Sequence, residues 1–164
     1  MKLFGSCHCQ SVRFEVESYT PYPFCRCYCS ICRKTAGGGG YAINIMGEAN
    51  TMVVIGMEHV SMYRAKMAGE SPDSFVISEG RRHFCKHCAS CLWISDPQWP
   101  NLVHPFASAI DTPLPKPPEQ IHIMLDYAAN WCTIPKSAKD ILFSGYPVES
   151  IEEWHKRHGL YGDK

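Results

Sequence analysis

Ten cysteines stand among 164 residues, and nine of them fall in three tight groups. The first is Cys7-His8-Cys9, the second holds Cys25, Cys27, Cys29 and Cys32, and the third holds Cys85 and Cys88 with Cys91 close behind; Cys132 stands alone. Thiols this dense serve either disulfides in an oxidising compartment or metal thiolates in a reducing one. Spacing separates the two. Cysteines two apart on extended chain sit ~6.6 Å apart, so disulfides would require extensive cross-pairing between the groups. The tight turn of C-x-x-C, by contrast, lets two sulfurs reach one zinc at ~2.3 Å. The opening MKLFGSCHCQ has no apolar export core, so the expectation is a cytoplasmic chain whose thiols hold metal.

The first and third groups supply two thiolates each, and together Cys7, Cys9, Cys85 and Cys88 complete a closed four-cysteine site of the structural kind. Such a site closes a span of roughly 80 residues, whose entropy cost grows only logarithmically with length. Structural zinc in small peptides contributes on the order of 10 to 16 kcal/mol, so the fold is expected to depend on it. In the middle group, Cys25 and Cys29 would stand ~13 Å apart on extended chain, whereas sulfurs on one zinc are only ~3.8 Å apart. The subset Cys27, Cys29 and Cys32 needs one turn and leaves a fourth position open to water or substrate, which distinguishes catalytic from structural zinc. Cys91 and Cys132 read as packing residues and Cys25 as packing or a spare ligand. His8, His83 and His87 are not needed as ligands. Arg81 and Arg82 read as a solvated strand face.

The elements that must position these groups are mostly short strands. Val12, Phe14 and Val16 alternate with polar neighbours, as do Tyr41, Ile43 and Ile45. Residues 51–55, 60–64, 75–78, 92–95 and 120–125 are further strand candidates. GEAN at 47–50 reads as a hairpin turn, 66–73 (KMAGESPD) as the most linker-like segment, and 112–118 (TPLPKPP) as too proline-rich for a central strand. One helix is clear, at about 150–159: Ser150 and Glu153 fit a capping box, Ile151, Trp154 and His158 share a face, and Gly159 is the stop. The fold class is mainly β, as a zinc-binding β domain over 1–135 and a C-terminal extension over 136–164. With 16 Lys+Arg against 16 Asp+Glu there is no basic field for nucleic acid, and no apolar run is long enough to span a bilayer.

The segments G5-S-C-H-C-Q-S-V-R-F14, C27-Y-C-S-I-C-R-K34, R82-H-F-C-K-H-C88 and F106-A-S-A-I-D111 resemble the glutathione-dependent formaldehyde-activating enzyme family, which includes centromere-protein-V-like proteins. The similarity runs from about residue 5 to 135. It implies a Mss4-like fold of coiled antiparallel β-sheets with two zinc sites per chain. Cys7, Cys9, Cys85 and Cys88 would hold the structural ion, and Cys27, Cys29 and Cys32 the catalytic one. The activity it implies is a zinc-dependent carbon–sulfur lyase type, forming or cleaving S-hydroxymethylglutathione or acting on a related thiol; the alternative is a non-catalytic zinc-binding interaction module. Glutathione, as the small-molecule thiol partner, is anionic. Arg33 and Lys34 beside the last ligand, and Gly38 and Gly39 within the run Gly37–Gly40, are therefore the expected contacts, unless the run only gives flexibility. The family usually places Gly after the second C-x-x-C, where this chain has Ala89, so the knuckle is expected to turn differently.

Overall fold

The computed structural model describes residues 1–135 and 139–161. The boundary expected between 135 and 136 borders residues 136–138, which lie outside the described ones. Eleven strands and two α-helices occur among the described residues. Strands β1 (Lys2–Ser6), β2 (Arg13–Glu17) and β5 (Val53–Ile55) form a three-stranded antiparallel sheet in the order β1-β2-β5. The expected alternation holds in it, for Val12, Phe14 and Val16 are all buried.

The second sheet has eight strands. These are β3 (Thr20–Cys27), β4 (Ala42–Glu48), β6 (Val60–Ala68), β7 (Phe75–Cys85), β8 (Cys91–Ser95), β9 (Leu102–Pro105), β10 (Ile121–Ile123) and β11 (Ile141–Leu142). Their order is β11-β10-β3-β4-β9-β8-β7-β6. Pairing is antiparallel except at one margin, where β10 runs parallel to both β3 and β11. Packing is tight at Gly5, where an added Cβ would lie 2.3 Å from the ring of its cross-strand partner Phe14 and 2.5 Å from the carbonyl oxygen of Ala109, in the 3-10 turn after β9. Only a glycine fits there.

Two turn expectations change. GEAN does not close a hairpin: β4 runs on to Glu48, a 3-10 turn at Ala49–Thr51 carries the chain across, and β5 pairs with β2 in the other sheet. The KMAGESPD stretch is no linker either. Lys66, Met67 and Ala68 continue β6 opposite Ile77, Val76 and Phe75, and the glycine and proline content marks only the tip of a long hairpin. No strand forms over 112–118, as the prolines require.

The C-terminal helix, α2 (Ile151–Arg157), has both halves of its capping box: Glu153 N donates to Ser150 Oγ at 3.1 Å and Ser150 N donates to Glu153 Oε2 at 2.7 Å. Gly159 takes φ +64. Trp154, fully buried, meets Phe24 of β3 edge-on at 5.0 Å and donates its indole N–H to Glu119 Oε1 at 2.5 Å. The extension is thereby packed into the same core as the strands. A second helix, α1 (Ser30–Ala36), was not anticipated. No helix among the described residues is long and apolar enough to cross a membrane.

Candidate metal centre

Cys7 and Cys9 lie in the loop between β1 and β2, Cys85 ends β7, and Cys88 is in the turn to β8. Their four sulfurs all lie within 4.8 Å of one another, with Cys7 to Cys9 at 3.5 Å and Cys9 to Cys85 at 3.7 Å. The spacing suits four donors around one ion. Each knuckle closes in the same way: the residue after its second cysteine turns left-handed, Gln10 at φ 63 and Ala89 at φ 59. Gln10 N donates to Cys7 O at 2.9 Å and Ala89 N to Cys85 O at 2.8 Å. Ala89 thus adopts the positive φ expected of a glycine and carries the steric cost of its Cβ there.

Hydrogen bonds hold the sulfurs from behind. Val12 N donates to Cys7 Sγ at 3.2 Å. Ser90 joins both knuckles, since its hydroxyl accepts from His8 N at 3.1 Å and lies 3.2 Å from Cys88 Sγ. That hydroxyl, foremost, pulls the Cys88 thiol down to about 5, whereas burial pushes Cys7 up to about 11. Thiolate character therefore gathers at the exposed side of the group. Because Cys7 and Cys9 lie in the loop joining two strands of the three-stranded sheet, while Cys85 ends a strand of the eight-stranded one and Cys88 follows it, this cluster couples the two layers.

The second cluster follows from three consecutive local structures. Cys27 is the last residue of β3, Cys29 is the N-cap of α1, and Cys32 is on the first turn of α1. The capping bond is made by sulfur: Cys32 N donates to Cys29 Sγ at 3.3 Å. Strand end, cap and first turn bring the three sulfurs within 4.8 Å of one another. Among the described residues no fourth Cys, His, Asp or Glu joins them, and Cys25 is outside the group. Hydrogen bonding to Cys27 and Cys32 draws the Cys29 thiol far below the ordinary cysteine value; its bonds to Cys29 and Cys32, and then burial, push Cys27 up. A cation held by the trio would bind thiolates and displace the protons its sulfurs carry. The donor set and the spacing fit zinc.

These three sulfurs line a cavity of about 640 Å³. Its polar lining includes Arg82 from β7 and Asn44 from β4, and its outer wall includes Trp99, Tyr146 and Val148. Arg82 is thus not part of a solvated face: alternate residues on a strand face opposite ways, and while Arg81 is exposed, Arg82 has its Nε and Nη1 buried. That alternation was the signal available for Arg82. Asn44 and Tyr146 gave none. Arg33, Lys34, Gly38 and Gly39 do not line this cavity. Lys34, Gly38 and Gly39 are exposed, and the glycine run packs at Gly40 instead, whose φ is +95 and whose Cβ, if present, would lie 2.5 Å from Cys132 Sγ. Cys91 and Cys132 make backbone contacts, Cys91 Sγ to Thr35 O at 2.6 Å and Cys132 Sγ to Gly39 O at 3.6 Å.

With two sulfur clusters of this composition in hand, comparison with known proteins is decisive. The profile of the family described as glutathione-dependent formaldehyde-activating enzyme matches residues 2–126. The chain belongs to that family. A curated protein of Halomonas elongata, "Putative glutathione-dependent formaldehyde-activating enzyme", is 60% identical over 160 residues, covering 98% of each chain. A crystal structure of a Rhodobacter sphaeroides protein aligns with a TM-score of 0.49 at 24% identity, over 70% of this chain and 92% of that one. All seven clustered sulfurs fall inside the span matched by the formaldehyde-activating family, whereas Tyr146, Val148 and the rest of the 146–151 wall fall outside it.

Proposed function

We propose that this chain is a zinc-dependent enzyme of carbon–sulfur lyase type that joins glutathione, or a related thiol, to formaldehyde and catalyses the reverse cleavage. One observation carries the reading: three converging cysteine sulfurs with no fourth protein donor among the described residues, set on the wall of a cavity. In the forward direction the thiol sulfur bonds to the aldehyde carbon, the carbonyl π bond opens, and the thiol proton ends on the new hydroxyl oxygen. The reverse breaks the same C–S bond. No oxidant or reductant is needed. Zinc held by Cys27, Cys29 and Cys32 supplies, when bound, a Lewis acid and a lowered pKa for a thiol that reaches it.

The remaining roles belong to the chain. The Cys32 backbone N–H holds the Cys29 sulfur in place, a contact of the kind that orients metal ligands. Cys7, Cys9, Cys85 and Cys88 hold a second, structural zinc. In this reading residues 1–135 carry the sulfur chemistry, and residues 146–151 of the extension supply part of the cavity wall.

The test combines metal analysis with NMR exchange spectroscopy. Purified protein should hold two zinc ions per chain, and Cys29→Ser should lose one while staying folded. Wild type should accelerate the interconversion of glutathione plus formaldehyde with their adduct, and Cys29→Ser should not. Exchange unchanged by fully loaded wild type would overturn the enzymatic reading and leave a structural zinc module.

A further inference from the structure

Two residues lining the three-sulfur cavity carry three buried polar atoms without partners, and their hydrogen-bonding senses are opposite. Arg82 Nε and Nη1 are N–H donors of a guanidinium; Asn44 Oδ1 is an acceptor. Both residues line the cavity with Cys27, Cys29 and Cys32. They reach it from different strands: Arg82 pairs with Ile94 on β8, and Asn44 pairs with Cys25 on β3. Neither strand is an edge of its sheet, so the backbones behind both side chains are fixed on both sides. Among the described residues lining this cavity, Arg82 is also the sole Arg or Lys.

Two guanidinium nitrogens of Arg82 are cut off from water without an acceptor, which is costly for N–H donors. Its planar fork of donors matches a carboxylate. An amide oxygen left bare in the same cavity calls for an N–H. We propose that Arg82 and Asn44 are the docking pair for the thiol substrate, Arg82 receiving a carboxylate and Asn44 Oδ1 receiving an N–H. The substrate they select is an amino-acid or peptide thiol, since a simple alkyl thiol has neither group. This rests on the three-sulfur cavity being the substrate site, as proposed above. It also accounts for Arg33 and Lys34 lying outside the cavity, because the cation that meets the anion comes from β7 instead of from the helix beside the ligands.

The test is direct binding, measured by calorimetry on zinc-loaded protein with metal content verified for each variant. The probes are S-methylglutathione, whose sulfur carries no ionisable proton, and its diethyl ester, which lacks both carboxylates. Wild type should bind the free acid at least tenfold more tightly than the diester. Arg82→Gln should lose that preference by weakening only the free acid, and Arg82→Lys should restore part of it. Asn44→Leu should weaken both probes alike. Equal affinity of wild type for the two probes, a comparison that needs no variant, would overturn the proposal. So would an Arg82→Gln protein that retains both metals and the full preference. The two readings fail separately: Arg82-dependent binding without accelerated exchange removes the reaction and keeps the docking pair, whereas accelerated exchange with an unchanged KM for glutathione in Arg82→Gln removes the docking pair and keeps the reaction.

Discussion

Single residues decide how each sulfur is presented. The knuckle at Cys85–Cys88 turns through Ala89 at φ 59, where an L-residue with a Cβ is disfavoured by roughly 1–2 kcal/mol relative to glycine. Replacing it should therefore be favourable: Ala89→Gly is expected to stabilise the zinc-loaded protein by about 1 kcal/mol, since the added unfolded-state freedom of glycine offsets part of the relieved strain. Denaturant unfolding of both proteins at saturating zinc checks this, and a less stable Ala89→Gly protein would contradict it. Gln10 stands at the matching position of the other knuckle. Cys29 shows the same economy of parts, for its sulfur serves as helix cap and as member of the metal-binding trio.

At the scale of elements, the short helices act as fittings. α2 is seven residues long and owes its start to the reciprocal bonds of Ser150 and Glu153, and Ser150, Ile151 and Glu149 also line the cavity. Ser150→Ala removes the cap and should cost about 1 kcal/mol, read as a lower midpoint in urea with zinc content unchanged. Helix α2 was legible because a capping box, an apolar stripe and a stopping glycine agree over ten residues. Helix α1 was not, because it begins on a cysteine cap, carries no apolar stripe, and runs into Gly37. Strand β2 could be read from period two; β4 forms where the Tyr41–Ile45 alternation placed a strand, but Ala42 and Met46 are buried along with Ile45, and which sheet each strand joins could not be read. GEAN shows why: a turn sequence favours local chain reversal, while β5 takes its place beside β2, Val54 opposite Phe14, through a pairing distant in sequence. At the site, ligand spacing is local and was readable; Arg82 and Asn44 meet only through sheet register, which sequence spacing does not encode.

For the whole molecule, two layers share one core and are tied by the four-cysteine cluster. Buried histidines add a pH dependence. His122 and His155 are fully buried, and burial holds both below the ordinary histidine value of 6.5. The unfolded chain therefore binds more protons than the folded one as pH falls through 6.5, so stability is fully present above that value and is lost on acidification. The melting temperature should fall between pH 7 and pH 5, and His155→Phe, which keeps a ring against Trp154 and Tyr22, should make the fall shallower. Scanning calorimetry at several pH values, with zinc retention verified at each, checks both slopes; an identical slope in the variant would remove His155 from the account. The sulfurs come from the portion that matches the family profile, yet Tyr146, Pro147 and Val148, which also line the cavity, come from after it. The hollow is thus assembled from two stretches of polypeptide, so cutting the chain after residue 126 would keep all seven clustered sulfurs and remove one side of it.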